Sequence, residues 1–317
     1  MNYLYIVLFL IFNDICSEVL IFTTAYNNSH LIELQIKSFK RFLKDDYKLI
    51  LFNDADDPSH FQKIENECRR LNIHCENIPQ DVVHKNSFKG ILKYWEDAFE
   101  LDKNNPLRTM IRQGQVLQYA YEKFGYMHND ILIIIDLDVF LFKLISIREL
   151  LEDNNALVAA APNENLFFDH TPFRYTIASL WPNLIILNLK FLKNRHLINF
   201  NAGFIGSKFC DPGIFLYLYL FSQNNMRIVN QDRKTINDFC KQTDEKLKSL
   251  GLNDITIEAL KSLYLDLYQI NKNCVYVCIF ENCFIDYAGS SNWMGLPEDV
   301  MEKKNKLFEK FIDNISL

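Results

Sequence analysis

The stretch ILIIIDLDVFL (residues 131–141) constrains the fold of this chain more than any other segment. Its first five residues are all apolar, so both faces of the strand that they form must be buried. Such a strand belongs in the middle of a parallel sheet with helices on both faces. Two carboxylates, Asp136 and Asp138, interrupt the run two residues apart. The segment therefore predicts an α/β protein with charged groups at the end of a central strand.

Strand and helix patterns alternate on either side of this segment. The predicted strands are residues 19–24, 47–52, 131–141, 184–189 and 274–280. The predicted helices are residues 31–43, 59–71, 105–125 and 234–267, the last being one or two helices broken near Gly251. Apolar residues recur at helical spacing in these segments, and Asn105, Pro106 and Gly125 are typical start and stop residues. No linker or repeat interrupts the pattern, which indicates one domain with a mainly parallel central sheet.

Composition limits the class of protein. The chain has 317 residues, of which 49% are hydrophobic and 23% charged, and this balance excludes a disordered or fibrous chain. Its net charge of −6 argues against nucleic acid as a main partner, because phosphate backbones attract basic surfaces. An acidic protein can still bind phosphate groups locally through backbone amides, a metal ion or a few arginines.

The N-terminal segment, residues 1–17, contains an apolar run of about ten residues between positions 3 and 12. A membrane-spanning helix needs roughly twenty apolar residues, whereas the hydrophobic region of a signal peptide has this shorter length. The alternative is a buried N-terminal strand. The signal peptide predicts a secretory or extracellular location, with the cytoplasm as the alternative. No other stretch is long and apolar enough to predict a transmembrane span, and residues 18–317 remain for the folded domain.

The eight cysteines contain no CxxC pair, which argues against zinc ribbons and thioredoxin-like sites. Most are expected to be small buried hydrophobic residues. In a secreted protein, Cys68 and Cys75 are candidates for a disulfide. The seven histidines show no HExxH spacing, so a zinc protease is not expected either.

The two aspartates of the central strand predict a metal site. On a regular strand, Asp136 and Asp138 point to the same side. Two neighbouring carboxylates at the end of a buried strand repel each other and lose hydration, and a divalent cation compensates both costs. Carboxylate oxygens suit Mg²⁺ or Mn²⁺, which also bridge to phosphates. The plainer interpretation is a polar turn with two solvated aspartates.

Five segments resemble those of GT-A glycosyltransferases with a DxD motif, in the same order along the chain. They are VLIFTTAYN (residues 19–27), IIIDLDVFL (133–141), FNAGFIG (200–206), NQDRKTIND (230–238) and, more weakly, IDYAGSSNW (285–293). The chain is most similar to the retaining family that includes glycogenin and the bacterial lipopolysaccharide galactosyltransferases. This resemblance implies a single Rossmann-like GT-A domain over residues 18–317. It also implies a hexosyltransferase that moves a sugar from a nucleotide-diphosphate sugar, a UDP-sugar, to a glycan, protein or lipid acceptor, with Mn²⁺ or Mg²⁺ as cofactor.

The resemblance assigns roles to individual residues. The implied metal ligands are Asp136, Asp138 and Asp286. The implied donor-binding residues are Thr23, Thr24, Tyr26, Arg112, Asn201, Ala202, Gly203 and Asn230. Gln231 and Asp232 are the catalytic candidates that line the donor sugar. Arg112 is expected to reach the diphosphate or to pair with Asp136 or Asp138, and Gly203 is expected to let the backbone approach the sugar closely.

Each of these assignments has a plainer interpretation. Asp286 is otherwise an exposed loop acid, and residues 201–203 are otherwise an ordinary turn. Asn230 and Asp232 are also typical of a helix N-terminus, and the residues after the first strand are typical of turns. The chain departs from the family at Asn230, where an aspartate is usual, and at Asp286, where a histidine binds the metal.

Two other functions compete with glycosyl transfer. The departures at Asn230 and Asp286 suggest a degenerate homologue that binds a nucleotide or glycan without turnover. A phosphatase of the haloacid-dehalogenase type also has DxD after a strand. In that class the motif usually opens the domain, whereas here more than a hundred residues precede it.

Overall fold

The computed structural model describes most of the chain from residue 18 onward. The described ranges are residues 18–84, 106–153, 158–167, 176–205, 208–210, 212–223, 228–230, 233–287 and 296–315. The segment 1–17, where we expect the signal peptide, lies outside them, so this expectation stays a prediction.

A seven-stranded sheet lies at the centre of the fold. Its strands are β1 (Val19–Ala25), β2 (Tyr47–Asn53), β3 (His74–Asn77), β4 (Ile131–Asp136), β6 (Val158–Phe167), β7 (Thr176–Asn188) and β10 (Ile228–Asn230). Their order across the sheet is β10-β6-β7-β4-β1-β2-β3. Strand β7 runs antiparallel to both of its neighbours, and the other neighbouring pairs are parallel. The predicted mainly parallel α/β sheet is therefore confirmed.

Two smaller antiparallel sheets contain the remaining strands of the described chain. Their strands are β5 (Val139–Leu141), β8 (Gly203–Ile205), β9 (Lys208–Cys210), β11 (Arg233–Thr235), β12 (Cys278–Phe280) and β13 (Phe284–Asp286). One sheet has the order β11-β12-β13-β5, and the other pairs β8 with β9.

The predicted strand over residues 131–141 is divided between two sheets. Strand β4 ends at Asp136, a turn follows at Leu137 and Asp138, and β5 begins at Val139 in the four-stranded sheet. The expectation that Asp136 and Asp138 share one face of a regular strand is therefore corrected. The chain leaves the central sheet between them because β5 pairs with β13 instead.

Helices cover the central sheet on both faces. They are α1 (His30–Phe42), α2 (Pro58–Leu71), α3 (Gln80–Val83), α4 (Pro106–Ala120), α5 (Ile147–Asp153), α6 (Ile214–Phe221), α7 (Ile236–Cys240), α8 (Asp244–Ser249), α9 (Asp254–Ile270) and α10 (Glu298–Asn314). Helix α4 continues into a π-helical turn, Tyr121–Gly125, so the predicted end at Gly125 is confirmed. The region predicted as one or two helices after residue 234 forms three, α7 to α9.

Alternate residues of β1 show how the sheet is buried. Ile21 packs into a large hydrophobic cluster with α1, α2, α9 and α10, whereas Phe22 packs into a second cluster with α4 and α6. Both side chains are fully buried, as a central strand with two covered faces requires. Across the described ranges, no helix combines the length and the apolar character that a membrane crossing needs.

Candidate functional site

The carboxyl ends of three parallel strands meet at one edge of the central sheet. Thr24 of β1 is in register with Asp136 of β4, and Ala25 is in register with Asn53 of β2. Loops that follow parallel strands at such an edge are the usual ligand sites of open α/β sheets. The polar residues that follow β1, β2 and β4 therefore define the candidate site.

Two glutamines hold the turn between β4 and β5. Gln35 of α1 donates from Nε2 to the backbone oxygens of Asp136 and Val139, at 2.8 and 3.0 Å. Gln113 of α4 donates to both carboxylate oxygens of Asp136, at 2.9 and 3.3 Å. Sequence reasoning did not find either residue. The signal was present for Gln35, because it is a polar residue on the apolar stripe of a helix, and it is 1% exposed.

The Asp136 carboxyl group is in an environment that opposes its ionisation. Burial raises its pKa well above the ordinary value, and the negative charges of Asp138 and Asp286 raise it further. The hydrogen bond from Gln113 acts in the opposite direction but is the smaller effect. A cation at this position would remove the repulsion and favour the ionised form.

Asp286 enters the site from the four-stranded sheet. It pairs with Val139 across β13 and β5, and the next residue, Tyr287, donates its N–H to the backbone oxygen of Asp138 at 2.8 Å. Its side chain is 1% exposed and accepts a hydrogen bond of 3.0 Å from Asn183. This burial excludes the interpretation of Asp286 as an exposed loop acid. The strand pairing thus brings Asp286 to the same turn as the two aspartates.

The chemistry of this site suits a hard divalent cation. Its side chains offer carboxylate and amide oxygens, which Mg²⁺ and Mn²⁺ prefer, and Asp136, Asp138 and Asp286 interact electrostatically. Throughout the part of the chain that the structure describes, no three His, Cys, Asp or Glu side chains are already spaced as a metal-binding group. The metal and its three ligands therefore stay a prediction that the charge pattern supports.

A buried lysine lies behind the carboxylates, and sequence reasoning missed it. Lys304 of α10 is 1% exposed, and its ammonium group donates a hydrogen bond to the backbone oxygen of Tyr287. Burial lowers its pKa to about 8, and Asp138 and Asp286 are among the groups that partly restore it. A lysine is ordinary on an amphipathic C-terminal helix, so only its packing identifies it.

Arg112 pairs with an aspartate that follows β2. Its guanidinium group contacts the Asp54 carboxylate at 3.1 and 3.3 Å, and it also donates to the Asp54 backbone oxygen at 2.8 Å and to Gln80 at 3.0 Å. The expectation that Arg112 pairs with Asp136 or Asp138 is corrected, because Asp54 lies nearer on the same sheet edge. The acidic run after β2 was visible in the sequence, but its partner was not.

The residues around this ion pair form a second polar group, here called the β2-edge cluster: Tyr26, Asp54, Asp56, Gln80, His84 and Arg112. The Arg112 guanidinium lies 5.2 Å from the centre of the Tyr26 ring, and the Tyr26 hydroxyl donates to Asp56 at 2.8 Å. The two ring nitrogens of His84 lie 2.7 Å from Asp54 Oδ1 and 2.8 Å from Gln115 Oε1. Tyr26 is 44% exposed, so a planar ligand can reach its ring.

The two threonines at the end of β1 differ in access. Thr24 is partly exposed, whereas Thr23 is 1% exposed and its hydroxyl has no hydrogen-bond partner among the described residues. Strand alternation directs Thr23 to the face covered by α1. A direct contact between its side chain and a nucleotide is therefore not available in this structure, which corrects the expectation for Thr23.

Residues 201–203 lie against α4, close to Gln113. A Cβ atom at Gly114 would lie 2.8 Å from the Ala202 nitrogen and 2.9 Å from the Phe200 oxygen, so helix and turn touch backbone to backbone. Asn201 is partly exposed and donates to Asn199 Oδ1 from both its N–H and its amide group, each at 2.9 Å. The predicted turn thus borders the carboxylate site.

Gly203 lies against an aromatic side chain. A Cβ atom there would lie 2.7 and 2.9 Å from the Phe215 ring. The absence of a side chain at Gly203 therefore accommodates this ring, and the expected approach of its backbone to a sugar stays a prediction. Asn230 contributes its backbone to β10, paired with Ala160. The catalytic candidates Gln231 and Asp232 lie outside the described residues.

Comparisons with known proteins give matches among solved structures. No protein-family model matches the sequence, and no curated protein matches it significantly. The chain is similar to core-mannan synthase A (CmsA/Ktr4) from Aspergillus fumigatus in its Mn/GDP form, with 15% identity and a TM-score of 0.38 over 57% of this chain and 62% of that chain. It is also similar to the mannosyltransferase Ktr4p from S. cerevisiae in complex with GDP, with 11% identity and a TM-score of 0.37 over 56% and 58%. A third, the WbbM bifunctional glycosyltransferase, has 15% identity and a TM-score of 0.32 over 56% and 32%.

By name, the three are a mannan synthase, a mannosyltransferase and a bifunctional glycosyltransferase. The matches cover little more than half of this chain and less than two thirds of the length of each solved chain.

Proposed function

We propose that this protein is a metal-dependent glycosyltransferase of the GT-A type. In this proposal it transfers a sugar from a nucleotide-diphosphate sugar, a UDP-sugar, to a glycan, protein or lipid acceptor. The observation that carries the proposal is the meeting of Asp136, Asp138 and the buried Asp286 at the turn that follows β4, where β13 pairs with β5. A protein keeps such a group of carboxylates when a cation or a cationic ligand compensates them.

The carboxylates would hold the cation, and the surrounding residues would position them. Asp136, Asp138 and Asp286 are the proposed ligands. Gln35 fixes the backbone of the turn, and Gln113 fixes the Asp136 carboxylate. When bound, the metal would neutralise the charge that develops on the departing nucleoside diphosphate.

The β2-edge cluster would receive the nucleotide. Tyr26 offers an exposed ring for stacking, and Thr24 lies next to it at the open end of β1. Arg112 lies against that ring, holds Asp54 in place and is on the same helix as Gln113. The helix therefore couples the proposed nucleotide contact to the proposed metal contact.

The sugar would lie between the carboxylates and residues 201–203. Asn201 has a partly exposed side chain at this border, and we assign it, with Ala202, Gly203 and the segment from Asn230, to the donor sugar. Gln231 and Asp232 are proposed to line the anomeric carbon. These assignments rest on the resemblance of their segments and on the position of the 201–203 turn.

The experiment that tests the proposal is thermal unfolding with a panel of nucleotides and nucleotide sugars, including uridine and guanosine forms, without metal and with Mn²⁺ or Mg²⁺. A ligand at about 100 times its dissociation constant adds roughly 2.7 kcal/mol of stability, which shifts a domain of this size by several degrees. We expect a shift that requires both Mn²⁺ and one nucleotide class. The Asp138→Asn variant should lose it, whereas Asp313→Asn, an exposed aspartate at the end of α10, should keep it.

The outcomes separate the competing functions. A metal-dependent shift followed by donor hydrolysis supports the transferase, and the same shift without hydrolysis or transfer favours a binding homologue. Stabilisation by Mg²⁺ alone, with no response to any nucleotide, favours a phosphatase. No response to either metal would overturn the proposed site.

We also propose that residues 1–17 are a signal peptide and that the protein enters the secretory pathway. The length of the apolar run supports this proposal. The measurement is the N-terminal sequence of the mature protein in a secreting host. A protein that retains Met1 and stays in the cytoplasm would contradict it.

A further inference from the structure

Helix α2 and the edge strand β3 face each other through two pairs of side chains. Glu65 and Cys68 lie three residues apart on one face of α2, and Cys75 and Asn77 lie two residues apart on one face of β3. Asn77 donates to Glu65 at 2.8 Å. The chain reverses direction between α2 and β3, so residues later on α2 face residues earlier on β3. Next to the Glu65–Asn77 contact, Cys68 therefore faces Cys75.

The turn between the two elements fixes this pairing. Asn72 ends α2 in the left-handed region at φ 53°, and Ile73 donates to the Cys68 backbone oxygen at 3.0 Å. Cys75 is then held in register with Leu51 of β2. Both cysteines pack in the same hydrophobic cluster. The Cys75 sulfur lies 3.9 Å from Asn77 Oδ1, and the Asn77 amide group bonds Glu65 on the face of α2 that carries Cys68.

The two thiols differ in access and in acidity. Cys68 is 1% exposed, whereas Cys75 is partly exposed. The neighbouring Cys68 thiol lowers the pKa of Cys75 and favours its thiolate. An accessible thiolate beside a buried thiol is the arrangement in which one cysteine attacks and the other resolves.

We propose that Cys68 and Cys75 are a dithiol pair that oxidised glutathione, or another small disulfide, converts into an intramolecular disulfide. The Cys75 thiolate attacks the small disulfide, which releases one thiolate and leaves a mixed disulfide on Cys75. Cys68 loses its proton to solvent and attacks the Cys75 sulfur, which releases the second thiolate. The two cysteines are thereby oxidised, and one small disulfide is reduced to two thiols.

The bond would join the edge strand to the helix that covers it. Strand β3 leads directly to Gln80 and His84 of the β2-edge cluster, so oxidation would also tether the segment that carries these residues. A cross-link over a short loop stabilises the folded protein mainly by restricting the unfolded chain. The inference does not depend on the proposed glycosyltransferase activity.

The test uses the full chain in buffers with graded ratios of reduced to oxidised glutathione, followed by alkylation of free thiols and peptide mass analysis. We expect a cross-linked peptide pair that contains Cys68 and Cys75 and is lighter by two hydrogen atoms than the reduced pair. The oxidised protein should also unfold at a higher temperature, and dithiothreitol should reverse that increase.

Two variants make the result specific. Cys68→Ser should accumulate a stable glutathione adduct on Cys75, because the resolving thiol is gone. Cys240→Ser should form the same cross-link as the unaltered protein. Complete alkylation of both cysteines at every glutathione ratio, or a stable adduct on Cys75 while Cys68 is present, would overturn the proposal.

Discussion

The ammonium group of Lys304 donates a hydrogen bond of 3.0 Å to the backbone oxygen of Tyr287 and lies 4.2 Å from the centre of that residue's ring. Tyr287 in turn donates its N–H to the backbone oxygen of Asp138. A buried cation on the last helix is thus linked through one residue to the turn that carries the aspartates. The hydrogen bond from Lys304 stabilises the chain directly after β13. Burial of the Lys304 charge lowers the stability of the folded protein in return.

Lys304→Met should change how stability depends on pH. The Lys304 pKa falls from an ordinary value of 10.5 to about 8, so the unfolded chain binds this proton more tightly than the folded protein. The loss of folding free energy caused by burying the charged Lys304 side chain is fully present below pH 8 and disappears as the pH rises through 10.5. The unaltered protein should therefore gain about 3 kcal/mol across this window from Lys304 alone.

The measurement is urea unfolding between pH 7 and 11. We expect the variant to show a smaller gain in stability over this range. Lys303→Met is the matched control, because Lys303 is the neighbouring residue on α10 and is exposed. Equal slopes for the two variants would contradict the assignment of a lowered pKa to Lys304.

Asp136→Asn should stabilise the metal-free protein at neutral pH. The folded-state pKa of Asp136 is raised, so the folded protein loses stability as the pH rises above the ordinary value of a carboxyl group. An asparagine removes the charge and keeps an oxygen that accepts from Gln113. The advantage of the variant in unfolding temperature should grow from pH 4 to pH 8. With Mn²⁺ the order should reverse, and an advantage that is independent of pH would count against charge repulsion as its cause.

Arg112 and Asp54 should be strongly coupled. Their side chains are 15% and 8% exposed, and removal of one partner leaves the other charge buried. Arg112→Ala should destabilise the protein by about 3 kcal/mol. A double-mutant cycle with Asp54→Ala should give a coupling energy of about 1–3 kcal/mol in urea unfolding.

The exposed pair on the opposite side of β2 provides the comparison. Arg70 is 52% exposed and pairs with Glu33, so Arg70→Ala should destabilise the protein much less than Arg112→Ala does. Additive effects of the Arg112 and Asp54 substitutions would show that their contact does not contribute to stability.

Gly114→Ala should disturb the 201–203 turn. The new methyl group would meet backbone atoms of Ala202 and Phe200, which cannot move without displacing the turn. We expect a loss of stability of about 1–3 kcal/mol and, if the proposed function holds, a higher KM for the donor. The methyl group of Gly203→Ala would meet the Phe215 side chain rather than backbone atoms, and this variant should lose less stability. An equal or smaller loss for Gly114→Ala would contradict the close contact of α4 with this turn.

Patterns within single segments of the sequence were enough to predict the α/β class, the mainly parallel sheet and the helix that ends at Gly125. These features follow from the spacing of apolar residues within each segment, which can be seen without knowing the rest of the fold. The apolar run at residues 131–135 specifies a strand buried on both faces wherever it lies. The pair Asp136 and Asp138 likewise identified the region of the site, because charge at the end of such a strand needs compensation.

The side chains that meet at that site could not be predicted without the folded structure. Gln35 reaches the backbone of Asp136 from 101 residues away in sequence, and Asn183 reaches Asp286 across 103. Arg112 pairs with Asp54 because the order of strands in the sheet places β2 beside β1. Such contacts follow from strand order, strand pairing and helix packing, which depend on burial of the whole core. They therefore leave no pattern in the sequence of any one segment.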